Sequence, residues 1–457
     1  MGMARQVPSG DPSLRRMVLG SAAVSMSVRS TGLLLGFGAN ILLSRALGTF
    51  QYGLYAIALS FALVAVIPAR FGLDQAALKF ASVYKDREDH RSWHGFVIAS
   101  VAITTAISIA ISLGLLLFWK SGREDLTLTA WAGVSVFLVT VALLGICSSL
   151  MRVSNRIFAS QFYDQVLRPL IFMGALWFGR EFVVNSSDHA LLATAAIATF
   201  CCIAIWVHYA LVHRDLFRAA PKFHDRKLWV KLGWSMLLIS GLQELANQID
   251  VLLLGRLSSP EAAGLFAAAW RIASLVPFAL AAISTIGGPL VAVRFSNKDM
   301  KGLSTLAHLC ARASLTLGLV MTCLLVAMGS LILGWFGPGF PDAYPALCVL
   351  LFGGIVNAGT GMCGYLLTLT GNQVAALLIL FGTLVLNIVL TCLLAPSFGV
   401  LGSAISTSCS VSASNILMCF IVRRRMGIDT SALGLPPRKR VDEHGPIHSG
   451  PQRDRGV

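Results

Sequence analysis

Apolar stretches of about 20 residues recur along the whole chain, the length a helix needs to cross a hydrocarbon core of about 30 Å. Twelve such windows stand out: 20–44, 52–73, 94–119, 128–150, 162–179, 190–212, 233–255, 262–291, 309–335, 345–369, 374–394 and 400–422. Polar breaks between them are mostly short. Two longer breaks are strongly charged, 74–93 with KDREDHR and 213–232 with HRDLFRAAPKFHDRKLWVK. The second is the most basic internal segment and leaves six windows on either side. The pattern predicts an all-α membrane protein of about twelve transmembrane helices in two six-helix bundles. The expected parts are an N-terminal segment 1–19, a bundle 20–212, a linker 213–232, a bundle 233–422 and a basic, disordered tail 423–457.

Composition agrees with lipid as the solvent. Of 457 residues, 56% are hydrophobic and 12% charged, against about 25% charged in a soluble domain. The formal charge of +15 would suit a nucleic-acid partner, but its distribution argues against one. With the N-terminus inside, Lys and Arg crowd the inner segments, from Arg15 and Arg16 through Lys85, Arg152 and Lys231 to Arg423–Arg425. The outer segments hold only Arg45, Lys120, Arg123, Arg180 and Arg256. That is the positive-inside asymmetry. It places a multi-pass chain in the membrane with both termini cytoplasmic. The first apolar run is too long for a cleavable signal peptide.

An internal repeat accompanies the two halves. LLSRALGTFQYGLYA from Leu42 aligns without a gap on LLGRLSSPEAAGLFA from Leu253, pairing Arg45 with Arg256, Gly53 with Gly264 and Tyr55 with Phe266. Both copies cross in the same direction, so the expected relation is a pseudo-two-fold along the membrane normal.

Ionisable side chains at mid-membrane carry the functional signal, because each costs at least about 2.5–3.5 kcal/mol to insert. Ser25, Arg29, Gly32, Gly36 and Asn40 form one stripe on the first helix; Arg29 lies deep, or else snorkels to the interface. Asp164 and Arg168, four apart with Gln161 and Gln165 on one face, form either a structural ion pair or part of a site. Ser240, Gln243, Glu244, Asn247 and Asp250 gather on the seventh helix and line a cavity or pack on polar partners. Glu244 and Asp250 are the candidates for ion coupling; Glu244 suits a proton-coupled site, and Asp250 could equally cap or pair with a neighbouring helix. Arg271 on the eighth helix needs polar surroundings. No Ser/His/Asp set, zinc spacing, P-loop or Rossmann glycine pattern occurs, so catalysis, a metal and a cofactor are not expected. A membrane-embedded glycosyl- or acyltransferase would need a catalytic acid or histidine, and none has convincing partners.

NILLSRALGTFQYGLYAIALSFALVAVIPARFGLDQAALKF, ANQIDVLLLGRLSSPEAAGLFAAAWRIASLVPFALAAI and GYLLTLTGNQVAALLILFGTLVLNIVLTCLLAPSFGVLGSAIST resemble the bacterial polysaccharide flippases. These belong to the multidrug/oligosaccharidyl-lipid/polysaccharide exporter superfamily. The resemblance runs from about residue 17 to 425. It implies a V of two bundles around a cavity opening alternately to each side, and a polyprenyl-pyrophosphate-linked oligosaccharide as substrate. It further implies the bacterial inner membrane, polysaccharide biosynthesis, and a polymerase and glycosyltransferases as partners. Arg29 and Arg271 would then hold the pyrophosphate, with Asn40, Gln243, Asn247, Asp164 and Arg168 as polar lining. A drug/cation antiporter and a peptidoglycan-precursor flippase of the same superfamily stay open as alternatives.

Overall fold

The computed structural model describes residues 12–119, 127–178, 186–297, 299–369 and 372–434, and among them the chain is helical with no strand. The N-terminal half holds α1 (Pro12–Arg70), α2 (Leu73–Asp86), α3 (His90–Trp119), α4 (Leu128–Val153), α5 (Ile157–Gln161), a π-helical turn Phe162–Leu167, α6 (Arg168–Phe178), α7 (Ser187–Val212) and α8 (Arg214–Arg218). The C-terminal half holds α9 (Arg226–Leu257), α10 (Pro260–Ala273), α11 (Leu275–Ser296), α12 (Met300–Phe336), α13 (Tyr344–Thr360), α14 (Cys363–Leu369) and α15 (Gln373–Met426). Eight helices among the described residues are long and apolar enough to cross a membrane. The chain is a multi-pass membrane protein.

Two helices, α1 and α15, run to about twice a bilayer's thickness because each is a hairpin turned on one glycine. Gly48 (φ 74°, ψ 175°) breaks α1 and Gly399 (φ 52°, ψ −126°) breaks α15, left-handed values that glycine tolerates without a Cβ clash. The reversal at Gly48 shows in a hydrogen bond from the Tyr52 hydroxyl to Asn40 Oδ1, 3.2 Å across twelve residues. A straight helix would hold those residues about 18 Å apart. The expected loop between the first two windows is therefore a single residue.

Other expectations shift as well. The charged 74–93 segment is mostly α2, whose buried residues Leu73, Ala76, Ala77, Phe80, Ala81 and Tyr84 follow the 3–4 spacing of an amphipathic helix. The linker expected at 213–232 is docked, not free. Lys222 N–H donates to Arg91 O (3.0 Å), and His94 Nδ1 lies 2.6 Å from Ala219 O. Its last residues already form α9, where Trp229 is buried edge-on against Phe96 and donates to the Tyr84 hydroxyl at 2.9 Å. The tail, expected to be disordered from 423, is ordered to Gly434. Ala432 N–H donates to Gly359 O at 2.9 Å, closing the carbonyl end of α13. Residues 1–11 of the N-terminal segment and the tail from 435 lie outside the described residues.

His213 pins the start of the linker. Its ring packs at a tilt against Tyr209 (4.8 Å between centroids) and Trp93 (5.2 Å) and meets Ser154 Oγ at 2.8 Å. Burial, then the charges of Lys85 and Arg156, push its pKa below the ordinary histidine value. The unfolded chain then binds the proton more readily, so stability is present above about pH 6.5 and falls as pH drops through the lowered folded value. Thermal unfolding of the detergent-solubilised protein is expected to show Tm falling between about pH 7 and 5. His213→Gln should flatten that stretch; an unchanged pH profile would contradict the assignment.

Two apolar cores show how the halves meet. The larger contains most of the N-terminal half together with Leu254, Phe266, Phe336, Phe340, Leu347 and Ala404, all at the end of the C-terminal half away from the chain termini. The smaller contains only residues of the C-terminal half, from Val291 and Leu303 to Met418 and Val422, at the terminal end. The halves thus share packing at the far end and part company at the terminal end, save for the first turns of α9.

Candidate functional site

The repeat that aligned Gly53 with Gly264 is a contact in space. A Cβ on Gly53 would lie 1.8 Å from Pro260 O, and one on Gly264 would lie 2.8 Å from Thr49 O and 3.0 Å from Gly53 Cα. Thr49 and Pro260 are themselves partners in the alignment. Each copy therefore presents the same backbone to the other's glycine, as a pseudo-two-fold requires. This knuckle closes the far end between α1 and α10.

Beneath it lies a cavity of about 370 Å³, walled by α1, α4, the π turn, α6, α7 and α10. Arg29, Gly32, Gly36 and Asn40 line it from the first helix, and Asp164, Gln165 and Arg168 from the interrupted one. Arg271 reaches it from the C-terminal half. Five of the nine residues singled out in the sequence, Arg29, Asn40, Asp164, Arg168 and Arg271, thus share one hollow.

Helix packing explains the convergence. The polar stripes of the first and fifth windows face each other: Gln161 Nε2 donates to Ser25 Oγ at 2.8 Å, and a Cβ on Gly32 would meet Gln165 O at 2.5 Å. Glycine lets the two backbones touch. The π turn at Phe162–Leu167 widens the helix locally, a distortion frequent at functional sites. Arg168 pairs with Asp164 at 3.1 Å and stands over the Phe137 ring at 5.9 Å. Asn40 donates to Gly36 O (2.7 Å) and accepts from Tyr52. Among the described residues the guanidiniums of Arg29 and Arg271 have neither a hydrogen bond nor an ion pair to a carboxylate. The lining therefore carries three guanidiniums against one carboxylate, and that one is engaged.

The seventh-window stripe divides. Gln243 and Asn247 are exposed on α9 and do not line this cavity. Glu244 is half-buried and accepts from Gln248, one turn on, at 3.0 Å. Asp250 is 2% exposed and lies apart from the cavity, between α9 and the α15 hairpin. Oδ1 accepts from Thr391 and Ser403 (both 3.2 Å), and Oδ2 from Thr407 (2.9 Å) and Asn387 (3.2 Å). One carboxylate thus gathers both arms of the hairpin.

A sequence profile of the polysaccharide biosynthesis protein family matches residues 18–286. The chain belongs to that family. No curated protein sequence matches it. Among solved structures it is similar to a multidrug resistance MATE family transporter of the MOP superfamily in its inward-facing conformation (TM-score 0.70, 14% identity, 89% of this chain and 98% of the other). The lipid II flippase MurJ in an inward closed conformation gives TM-score 0.68 at 16% identity, covering 87% of each chain. An outward-facing MATE structure gives 0.63 at 16% identity, over 93% of this chain and 99% of the other. The fold is that of the MOP superfamily.

Sequence reasoning missed two hydroxyls in this polysaccharide biosynthesis protein's cavity. Tyr55 and Thr194 both line it and hydrogen-bond to each other at 3.2 Å. A signal was present: Tyr55 aligns with Phe266 in the repeat, so only the first copy carries the hydroxyl.

Proposed function

We propose that this chain flips a polyprenyl-pyrophosphate-linked oligosaccharide across the bacterial cytoplasmic membrane, by alternating access, for polysaccharide biosynthesis. The observation that carries the reading is the presence of Arg29 and Arg271, from opposite halves, in the lining of one cavity. A pyrophosphate buried in a low-dielectric hollow requires cations, and the planar guanidinium fork binds phosphate oxygens bidentately. Because the two arginines belong to different halves, a headgroup between them couples to the relative motion of those halves. Membership of the polysaccharide biosynthesis family and the fold shared with a lipid II flippase support a lipid-linked substrate.

In this reading each half supplies six spans, each hairpin counting as two and each interrupted helix as one. The terminal end is cytoplasmic, the lobes part there, and the glycine knuckle is the outer gate. Asp250 is the candidate coupling group, since a carboxylate ringed by hydroxyl and amide groups suits a proton or a small cation. Glu244 is the weaker candidate, tied only to Gln248. A polymerase and glycosyltransferases would act on either side of the step. The antiporter alternative is disfavoured by the cavity's excess of guanidinium groups, which repels a cationic drug.

In cells lacking the native gene, Arg29→Ala and Arg271→Ala are each expected to lower surface polysaccharide at least tenfold (about 1.4 kcal/mol) at unchanged membrane abundance. Normal export by both variants would remove the headgroup site. Loss of viability, rather than loss of polysaccharide, would favour a peptidoglycan precursor as cargo.

A further inference from the structure

A second set of cations lies along α4, on the terminal side of the cavity-lining Phe137. Arg152, in the last turn of α4, is exposed, and its guanidinium has no ion pair or hydrogen bond among the described residues. Arg29, Asp74, Arg70 and Asp164 all lie close enough to act on its charge. Arg70 does not extend into solvent as a topology-setting arginine would. Its guanidinium lies flat on α4, where Nη2 donates to Val141 O at 2.9 Å and a Cβ on Gly145 would be 2.4 Å from Cζ. Only glycine leaves room for it there. Arg70 Nε is buried without a hydrogen-bond partner among the described residues.

Gly145 and Arg152 are seven residues apart, hence on one face of α4 and about 10 Å apart along its axis. Further along the same helix, Phe137 carries Arg168 over its ring. Three guanidiniums thus stand in succession along α4, from the terminal surface to the cavity, with Arg29 beside the first. Of the nearby carboxylates, Asp164 is engaged by Arg168, and Asp74 makes no ion pair within 4 Å among the described residues. Unpaired like charges held together repel one another and are stabilised by an anion.

We propose that Arg152, with Arg29 and Arg70, forms an intake site for a phosphate or pyrophosphate group, from which the headgroup passes along α4 to Arg168 and Arg271. The site rests on the flippase reading of the cavity. It adds a residue, Arg152, that positive-inside counting treats as a topology signal. Two sources could supply such an anion, the substrate headgroup or a phospholipid of the adjoining leaflet; the assignment is to the substrate.

The test is binding of inorganic pyrophosphate to the full-length protein in nanodiscs of zwitterionic lipid, by calorimetry at two salt concentrations. Arg152→Gln is expected to weaken binding about tenfold and to flatten its salt dependence, the effect of losing one charge-assisted contact. Lys79→Gln, an exposed change on α2, should bind as the parent does. Unchanged binding in Arg152→Gln, with loss in Arg271→Gln, would overturn the intake site while sparing the cavity. Unchanged binding in both would overturn the headgroup reading as well. If discs containing anionic lipid abolish the difference between parent and Arg152→Gln, the occupant is a leaflet headgroup and the substrate assignment falls.

Discussion

Asp250→Ala is expected to lower the stability of the detergent-solubilised protein by about 2–6 kcal/mol, since each buried donor left without an acceptor costs about 1–3 kcal/mol. The carboxylate is 2% exposed and accepts four hydrogen bonds. Two come from each arm of α15; Thr391 and Thr407 have second acceptors in Asn387 Oδ1 and Ser403 O, so the loss would leave Asn387 Nδ2 and Ser403 Oγ unpaired and unfasten the hairpin from α9. Asp250→Asn keeps the shape and one acceptor oxygen, and should cost less than about 2 kcal/mol. The pair separates packing from charge. If Asp250 couples an ion, Asp250→Asn folds but flips substrate no longer, whereas a purely structural Asp250 leaves transport near that of the parent. Thermal unfolding ranks the stabilities, and export in cells reads the coupling. Equal Tm for parent and Asp250→Ala would show that the network does not hold the hairpin.

Gly53→Ala is expected to force the far end open. Its methyl would fall 1.8 Å from Pro260 O, a backbone atom that cannot swing aside. Overpacking of this kind costs about 1–3 kcal/mol. Because the clash exists only while the knuckle is closed, that cost shifts the conformational equilibrium instead of unfolding the chain. Each 1.4 kcal/mol moves such an equilibrium about tenfold. The readout is labelling of Thr194→Cys, a cavity position, by a membrane-impermeant maleimide applied from outside, with native cysteines replaced. Gly53→Ala should raise the labelling rate about tenfold. Gly264→Ala, at 2.8 Å from Thr49 O, should raise it less. Labelling as slow as in the parent for both would mean that the knuckle is not the gate.

The recurrence of long apolar windows was enough to read the solvent and the helical class, because lipid leaves a chain few other ways to satisfy its backbone. The repeat was legible for a similar reason. Gly53 and Gly264 are fixed by contact with each other's backbone, and such a constraint appears in the sequence as a glycine. The stripe Ser25–Arg29–Gly32–Gly36–Asn40 was also readable, since helical periodicity alone places those residues on one face.

What each stripe faces was settled only by tertiary packing. Arg29, Asp164, Arg168 and Arg271 could have belonged to separate seams; the glycine contact at Gly32 and the π turn bring them around one hollow. Glu244 and Asp250, six residues apart on one helix, were both open as coupling groups, with Asp250 open equally as a partner for a neighbouring helix. Asp250 is buried against partners 137 to 157 residues away in the chain, while Glu244 meets only its own helix. Periodicity reports a direction around a helix axis. The neighbour in that direction is a long-range property of the fold, so which charge is partnered and which is left for an anion could be read only there.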